Sequence, residues 1–344
     1  MHEYIGMIHV HSTYSDGSRS IPEIASIAKE VGLNFLMFSD HHTLQAKHDG
    51  MEGWHNDVLV IIGYEINDVR DCNHYLAFNL KEELPDGLEP ETYVKMVHER
   101  GGLGIIAHPH EKRRTMKAYP PYPWTAWDSK EFHGLEIWNQ MSEWLEGVTH
   151  FNKYWRAVHP RKSIFAPAAE TLRVWDQVNM ERKVVGIGGV DAHGYKYKLF
   201  GYFKYTIFRY KISFQTIRTH LLLKEALGAN KDSQNDISLV FDALRNCRCF
   251  VSNLYQGDAA GFSFYAENDI EKVTMGEQLK FDPHSYFHVN LPREAEVIFI
   301  RNGKEIKRII GREISIKIEN SGIYRVEVYR QKRPWIYSNH LRIL

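Results

Sequence analysis

The chain of 344 residues contains three cysteines, Cys72, Cys247 and Cys249. So low and odd a count excludes a disulfide framework and fits a reducing cytoplasm. Nor does Cys247-Arg-Cys249 have the spacing of a CxxC pair. An excess of either charge is also missing, because 43 Lys+Arg balance 43 Asp+Glu. A protein that tracks nucleic acid carries a basic surplus, so neutrality argues against long nucleic acid as a partner. No run approaches the ~18 apolar residues of a membrane-spanning helix, and no membrane association is expected. The opening MHEYIGMIHVHS lacks a charged segment followed by an apolar one, so no signal peptide is expected either, which again suggests a cytoplasmic protein. Internal repeats and low-complexity tracts are absent. What remains is an ordinary globular composition, 43% hydrophobic and 25% charged, long enough for roughly two domains.

The two parts differ in hydrophobic period. Up to about residue 205, short apolar runs alternate with amphipathic stretches. Residues 5–10, 34–39, 58–62, 75–79, 104–107, 134–138 and 184–188 read as strands. Residues 21–31 have helical spacing, with Pro22 at the start and Gly32 as the stop, and 92–100 form another helix. This rhythm predicts an α/β architecture with a mainly parallel sheet, and the strand count favours a closed barrel. Residues 212–249 read as mostly helical, with a polar loop at 228–236 and a helix at 237–245. Beyond residue 261 the period becomes two. Asn302-Gly303 between apolar runs signals a tight hairpin. Ile314, Ile316 and Ile318 alternate with polar residues, as do Tyr324, Val326 and Val328. A small all-β, immunoglobulin-like sandwich is expected there. The division is therefore 1–260 for the barrel and 261–344 for the sandwich.

Histidine is the abundant residue. Fifteen of the 19 fall within the first 193 positions, and histidine is the commonest metal ligand. Four clusters sit at the ends of predicted strands: His9-Val10-His11 with Asp16, Asp40-His41-His42, His108-Pro109-His110, and Asp191-Ala192-His193. Residues i and i+2 of a strand share a face, so His9 and His11 can grip one ion. Glu65 follows the strand VLVIIGY, and His74 precedes YLAFNL. In a parallel barrel the C-terminal strand ends share one face, so these residues converge. A mixed imidazole and carboxylate set suits zinc, manganese or iron.

Together HVHSTYSDG, SDHHT, Glu65, AHPH and VDAHG resemble the PHP (polymerase and histidinol phosphatase) family over residues 4–205. The resemblance implies a distorted (β/α)7 barrel holding two to three divalent ions. It implies one ion on His9, His11, Glu65 and Asp191, a second on Asp16, His41 and His108, and a third on Glu65, His74 and His193. Glu65 is the implied bridge. Asp16 stands where some relatives have histidine.

The expected activity is metal-dependent hydrolysis of a phosphoester through a metal-bridging hydroxide. Its substrate is a small phosphomonoester, a nucleotide or a short oligonucleotide. Asp191, Glu65 and His193 are the expected catalytic residues. His42, His110, Arg113 and Asn139 are candidate substrate contacts, Arg113 because Lys112-Arg113-Arg114 offers charge to a phosphate. The aromatic run 119–127 is expected to pack as a loop near the same face. Two other readings are hydrolysis of an amide or lactone by the same metals, and a non-catalytic binding module.

Overall fold

A computed structural model describes residues 1–113, 120–199, 203–229 and 232–344. Seven strands close a ring. They are β1 (His2–Val10), β2 (Phe35–His41), β3 (Val58–Ile66), β4 (Tyr75–Phe78), β5 (Leu103–Ile106), β6 (Gly134–Asn139) and β7 (Val185–Ala192). Neighbours pair in that order, and β7 returns to β1. All pairings are parallel except those of β4, which runs antiparallel to β3 and β5. The cause is the short link between β3 and β4, residues 67–74, which leaves no room for a helical crossover. The barrel is thus α/β and distorted at this strand. Helix α1 (Ile21–Glu30) starts with Pro22 in its first turn, and the Glu23 carboxylate accepts from Ser20 N at 2.9 Å. Gly32 follows at φ 75°, a conformation that glycine adopts freely. Helix α2 (Pro90–Glu99) links β4 to β5, α3 (Gln140–Glu146) follows β6, and α4 (Ala169–Glu181) leads into β7.

The segment 212–249, expected to be mostly helical, holds one strand, β8 (Ile217–Leu223), and a second, β9 (Cys249–Asn253), begins at its last residue. β1 begins before the ring closes, and its first residues offer free backbone to which β8 pairs antiparallel; β9 pairs with β8. Both faces of IRTHLLL are covered, so no period of two betrays the strand. The polar stretch 228–236 is a loop only in part. Helix α5 (Ser233–Arg245) begins there, its N-cap Asp232 accepting from Gln234 N at 2.9 Å. Residues 230–231 lie outside the described residues.

The C-terminal strands are β10 (Ser263–Glu267), β11 (Tyr286–Arg301), β12 (Lys304–Lys317), β13 (Gly322–Arg330), β14 (Arg333–Ser338) and β15 (Leu341–Ile343). They enclose their own core, with Phe264, Phe287, Phe299, Val326 and Trp335. The predicted hairpin is present: Arg301 pairs with Lys304, and Asn302 and Gly303 sit at φ 50° and 76°, the left-handed pair such a turn demands. Long β11 pairs with β10 through its first half and with β13 through its second, so it serves both layers. This all-β unit is not detached from the barrel. β9 pairs with β14, and the Asn339 side chain accepts from Gly186 N and donates to Gly186 O, both at 2.8 Å.

A buried ion pair adds a second join. Asp176 of α4 receives both Arg325 Nε at 2.7 Å and Arg325 Nη2 at 2.8 Å, and His340 Nε2 lies 2.7 Å away. Burial would raise the Asp176 pKa, but Arg325 and His340 hold it down at about 2. Among the described residues no helix is long and apolar enough to cross a membrane. The three cysteines are free, and Cys247 and Cys249 are buried.

Breaking a buried pair strands its partner, so Asp176→Ala should cost about 3–5 kcal/mol in urea unfolding at neutral pH. The depressed folded pKa of Asp176 means its stabilisation is complete above pH ~4 and lost as pH falls towards ~2. The expected loss over that window is roughly 2 kcal/mol, read as an acid transition that Asp176→Asn lacks.

Candidate metal centre

The centre is built where strand geometry breaks. The pairing of β1 with both neighbours shifts register between Ile8 and Val10, with His9 at φ 67°. Asp191 near the end of β7 (φ 50°) and His108 just after β5 (φ 27°) are also left-handed. Such bulges and strained residues re-aim side chains and recur at functional sites. Asp40 fixes the loop after β1 by accepting from Ser12 N at 2.8 Å and Ser15 N at 3.1 Å.

His9, His11, Glu65 and Asp191 meet as the motifs suggest. Glu65 Oε2 lies 3.0 Å from His9 Nε2 and 3.3 Å from His11 Nε2. Asp191 Oδ1 lies 3.5 Å from both nitrogens. The other two groupings differ from the expectation, because His108 and His193 exchange places. His193 joins Asp16 and His41, with Nε2 3.3 Å from Asp16 Oδ1. Donor atoms of His11, Asp16, His41 and His193 lie within 4.8 Å of one another. His108 instead joins His74 at Glu65 Oε1, at 3.5 Å and 2.6 Å respectively. Ring order is the reason. His193 follows β7, which adjoins β1 and its Asp16 loop. His108 follows β5, which adjoins β4 behind His74.

The charges interlock. Burial opposes ionisation of Glu65, yet His9 and His74 hold its pKa well below the usual carboxylate range. Burial likewise opposes protonation of His74, but Glu65 and Asp71 raise it to about 10. His11 is pushed down to about 3 by burial and by the adjoining His193 and His41. A neutral His11 and an ionised Glu65 are the ligand forms of these groups.

Of the candidate substrate contacts, only Arg113 lines the cleft above the cluster. That cleft of about 260 Å3 also includes His41, Tyr122, Asp191 and His193. Arg113 pairs with Glu111 and lies 5.4 Å from the Tyr122 ring centre. His42 is exposed and left-handed at φ 53°, and it lines a separate groove with Tyr64 and Leu84. His110 faces a side pocket, 2.9 Å from Thr171 Oγ1 and stacked on Trp127. Asn139 is committed internally. It caps α3 by accepting from Ser142 N and donates to Glu136, both at 2.8 Å. Arg114 and Tyr119 lie outside the described residues. Tyr122 of the aromatic run does reach the cleft, where it stacks on His74 at 5.0 Å.

Two buried carboxylates went unnoticed in the sequence. Glu136 Oε1 lies 3.1 Å from His9 Nδ1, and Glu136 Oε2 accepts from His108 N at 2.7 Å. Its signal was a glutamate inside the apolar strand GLEIW. Gly189 was the other half of that signal, since a Cβ there would lie 1.4 Å from Glu136 Oε1. Glu111 is the second, and it accepts from Tyr122 N at 2.8 Å with His108 Nδ1 3.7 Å away.

The donor set fits divalent cations. Both His11 nitrogens, His74 Nε2 and His108 Nδ1 are buried without a hydrogen-bond partner, a state that costs free energy unless something else satisfies them. Glu136 against His9 is the outer carboxylate that orients metal-binding imidazoles.

No family model matches the chain. An uncharacterised protein of Methanocaldococcus jannaschii is 28% identical over 122 residues, which are 30% of this chain and 66% of that protein, so the match spans just under two thirds of that relative. Solved structures with a similar course include a two-domain protein of Bacteroides vulgatus containing a predicted PHP-like metal-dependent phosphoesterase. It shares 12% identity at a TM-score of 0.48, covering 99% of this chain and 95% of that one. Another is a protein of Bifidobacterium adolescentis, suggested to be a metal-dependent phosphoesterase, with 14% identity, a TM-score of 0.35, and 55% and 87% coverage.

Glu136→Gln should keep the fold and weaken metal binding about 10–100-fold, as measured by competition with a chromophoric chelator. Stripping the metals should lower the melting temperature, because ions that bind only the folded state stabilise it. Glu65→Gln should abolish most of that difference in calorimetry.

Proposed function

We propose that this chain is a PHP-type, metal-dependent phosphoesterase acting on a small phosphomonoester, a nucleotide or a short oligonucleotide. The observation that carries the reading is Glu65, a buried carboxylate shared by histidines from opposite sides of the ring beneath an open cleft. His9, His11, Glu65 and Asp191 would hold one ion. Glu65, His74 and His108 would hold a second, and Asp16, His41 and His193 a third. Zinc, manganese and iron suit these donors. Bound there, closely spaced divalent ions supply Lewis acidity and a water of lowered pKa.

The residues divide the remaining work. Asp191 stays ionised despite burial, because His9 and His193 depress its pKa. With Oδ1 facing His9 and His11, its other carboxylate oxygen can accept a hydrogen bond and orient a water at the cleft floor. Arg113 supplies the positive charge that a phosphoryl group needs for binding. Tyr122 covers His74 and narrows the entrance. Arg113 is the one lysine or arginine among the described residues that line the cleft, which suits a substrate with one or two phosphates better than a long polyanion.

Phosphate release from a panel of phosphomonoesters, nucleotides and dinucleotides by manganese-loaded protein tests this reading. Asp191→Ala should lower turnover roughly a hundred- to thousandfold. Arg113→Ala should raise KM with little change in kcat. A fully metallated protein that releases no phosphate but opens amides or lactones would replace the phosphoesterase reading.

A further inference from the structure

Between α3 and α4 the chain builds a lobe at residues 147–168 whose composition departs from the rest. The whole protein is neutral, yet no acidic residue occurs from 147 to 169, while Lys153, Arg156, Arg161 and Lys162 do. The lobe is pinned in place. Arg156 is buried, and its Nη2 donates to Trp144 O at 2.9 Å and Glu143 O at 3.3 Å. Its outer side carries a cluster of exposed apolar side chains: Phe151, Tyr154, Trp155, Val158 and Phe165, with Phe151 fully exposed. Apolar groups gathered this densely on a surface mark an interaction site.

Cations rim the cluster. Lys153 Nζ lies 5.0 Å from the Tyr154 ring centre, Lys162 Nζ 5.9 Å from that of Trp155, and Arg333 Cζ 4.4 Å from that of Phe165. The choice of occupant follows from this rim. A second copy docked symmetrically would set like charges against each other. A nucleic-acid strand would stack its bases on open ring faces, but here cations already lie over three of the rings. The ring edges and the aliphatic Val158 remain to protrude. Aromatic edges and aliphatic tips flanked by lysine and arginine suit the boundary between lipid headgroups and acyl chains.

Although no membrane association was expected from the sequence, we propose that this lobe docks on an anionic lipid surface, with Phe151, Trp155 and Val158 entering the interface and Lys153 and Lys162 meeting the headgroups. The lobe adjoins the metal centre at both ends: Leu145, just before it, lines the cleft, and Pro167 and Ala168 line the neighbouring pocket beside His108. Docking does not depend on what the cleft hydrolyses.

The test is co-sedimentation of the full chain with vesicles of phosphatidylcholine alone and of equimolar phosphatidylserine and phosphatidylcholine. Two double variants are used, Phe151→Ser with Val158→Ser and Lys153→Glu with Lys162→Glu, each with its melting temperature recorded. Binding is expected only to the anionic vesicles. It should weaken with salt and fall about tenfold or more in the charge-reversed pair. The apolar pair should lose it as well while melting like the parent. If either pair fails to fold, the other decides. Three results would overturn the proposal. One is no sedimentation with anionic vesicles at low salt. A second is sedimentation that neither variant alters. The third is that the same substitutions abolish a dimer in size-exclusion chromatography, or binding to single-stranded oligonucleotide, with vesicle binding untouched.

Discussion

The carboxylate of Glu65 lies within ion-pairing distance of five histidines: His9, His11, His41, His74 and His108. A buried carboxylate without partners is expensive, so these rings must stay close and correctly turned. The rest of the rim serves that condition. The bulge at His9, the left-handed His108 and Asp191, and the Asp40 clasp on the loop after β1 each set a side-chain direction. Glu136 reaches both the His9 ring and the His108 backbone, and so ties opposite flanks of the cluster together. Glycine at position 189 keeps the space that Glu136 occupies.

The strands, the closed ring and the ligand residue types were legible because they leave local marks. An i, i+2 histidine pair at a strand end and an Asn-Gly between apolar runs are complete within a few residues. The spatial grouping of these side chains was not. It depends on which strands are neighbours around the ring, and only closure reveals that His193 stands beside Asp16 while His108 stands beside His74. Glu136 was missed for a different reason. A single carboxylate in an apolar strand carries no motif, and its partner Gly189 is 53 residues away. Strand β8 was hidden because its partner is a β1 extension that pattern alone does not announce.

Adjacency in sequence to a histidine of the cluster is a poor guide to which side chains line the cleft. His42 and His110 each sit next to or near a metal-type histidine in the sequence, yet both turn away from the cleft. Neighbouring side chains at a strand end diverge, and a left-handed backbone such as that of His42 sharpens the turn. Arg113 reaches the cleft by another route, held by Glu111 and the Tyr122 loop. Contacts at the mouth therefore depend on how long loops fold back, which is the part of an α/β barrel least constrained by periodicity.

The ladder from β1 through β8 and β9 to β14 has a further meaning. With the barrel and the C-terminal strands sharing one hydrogen-bonded sheet, β9 has no outer edge of its own. A chain cut near residue 260 would leave Phe250, Val251 and Ser252 as an open, apolar edge strand, a template for intermolecular pairing. The C-terminal strands thus cover an edge that the barrel would otherwise leave open.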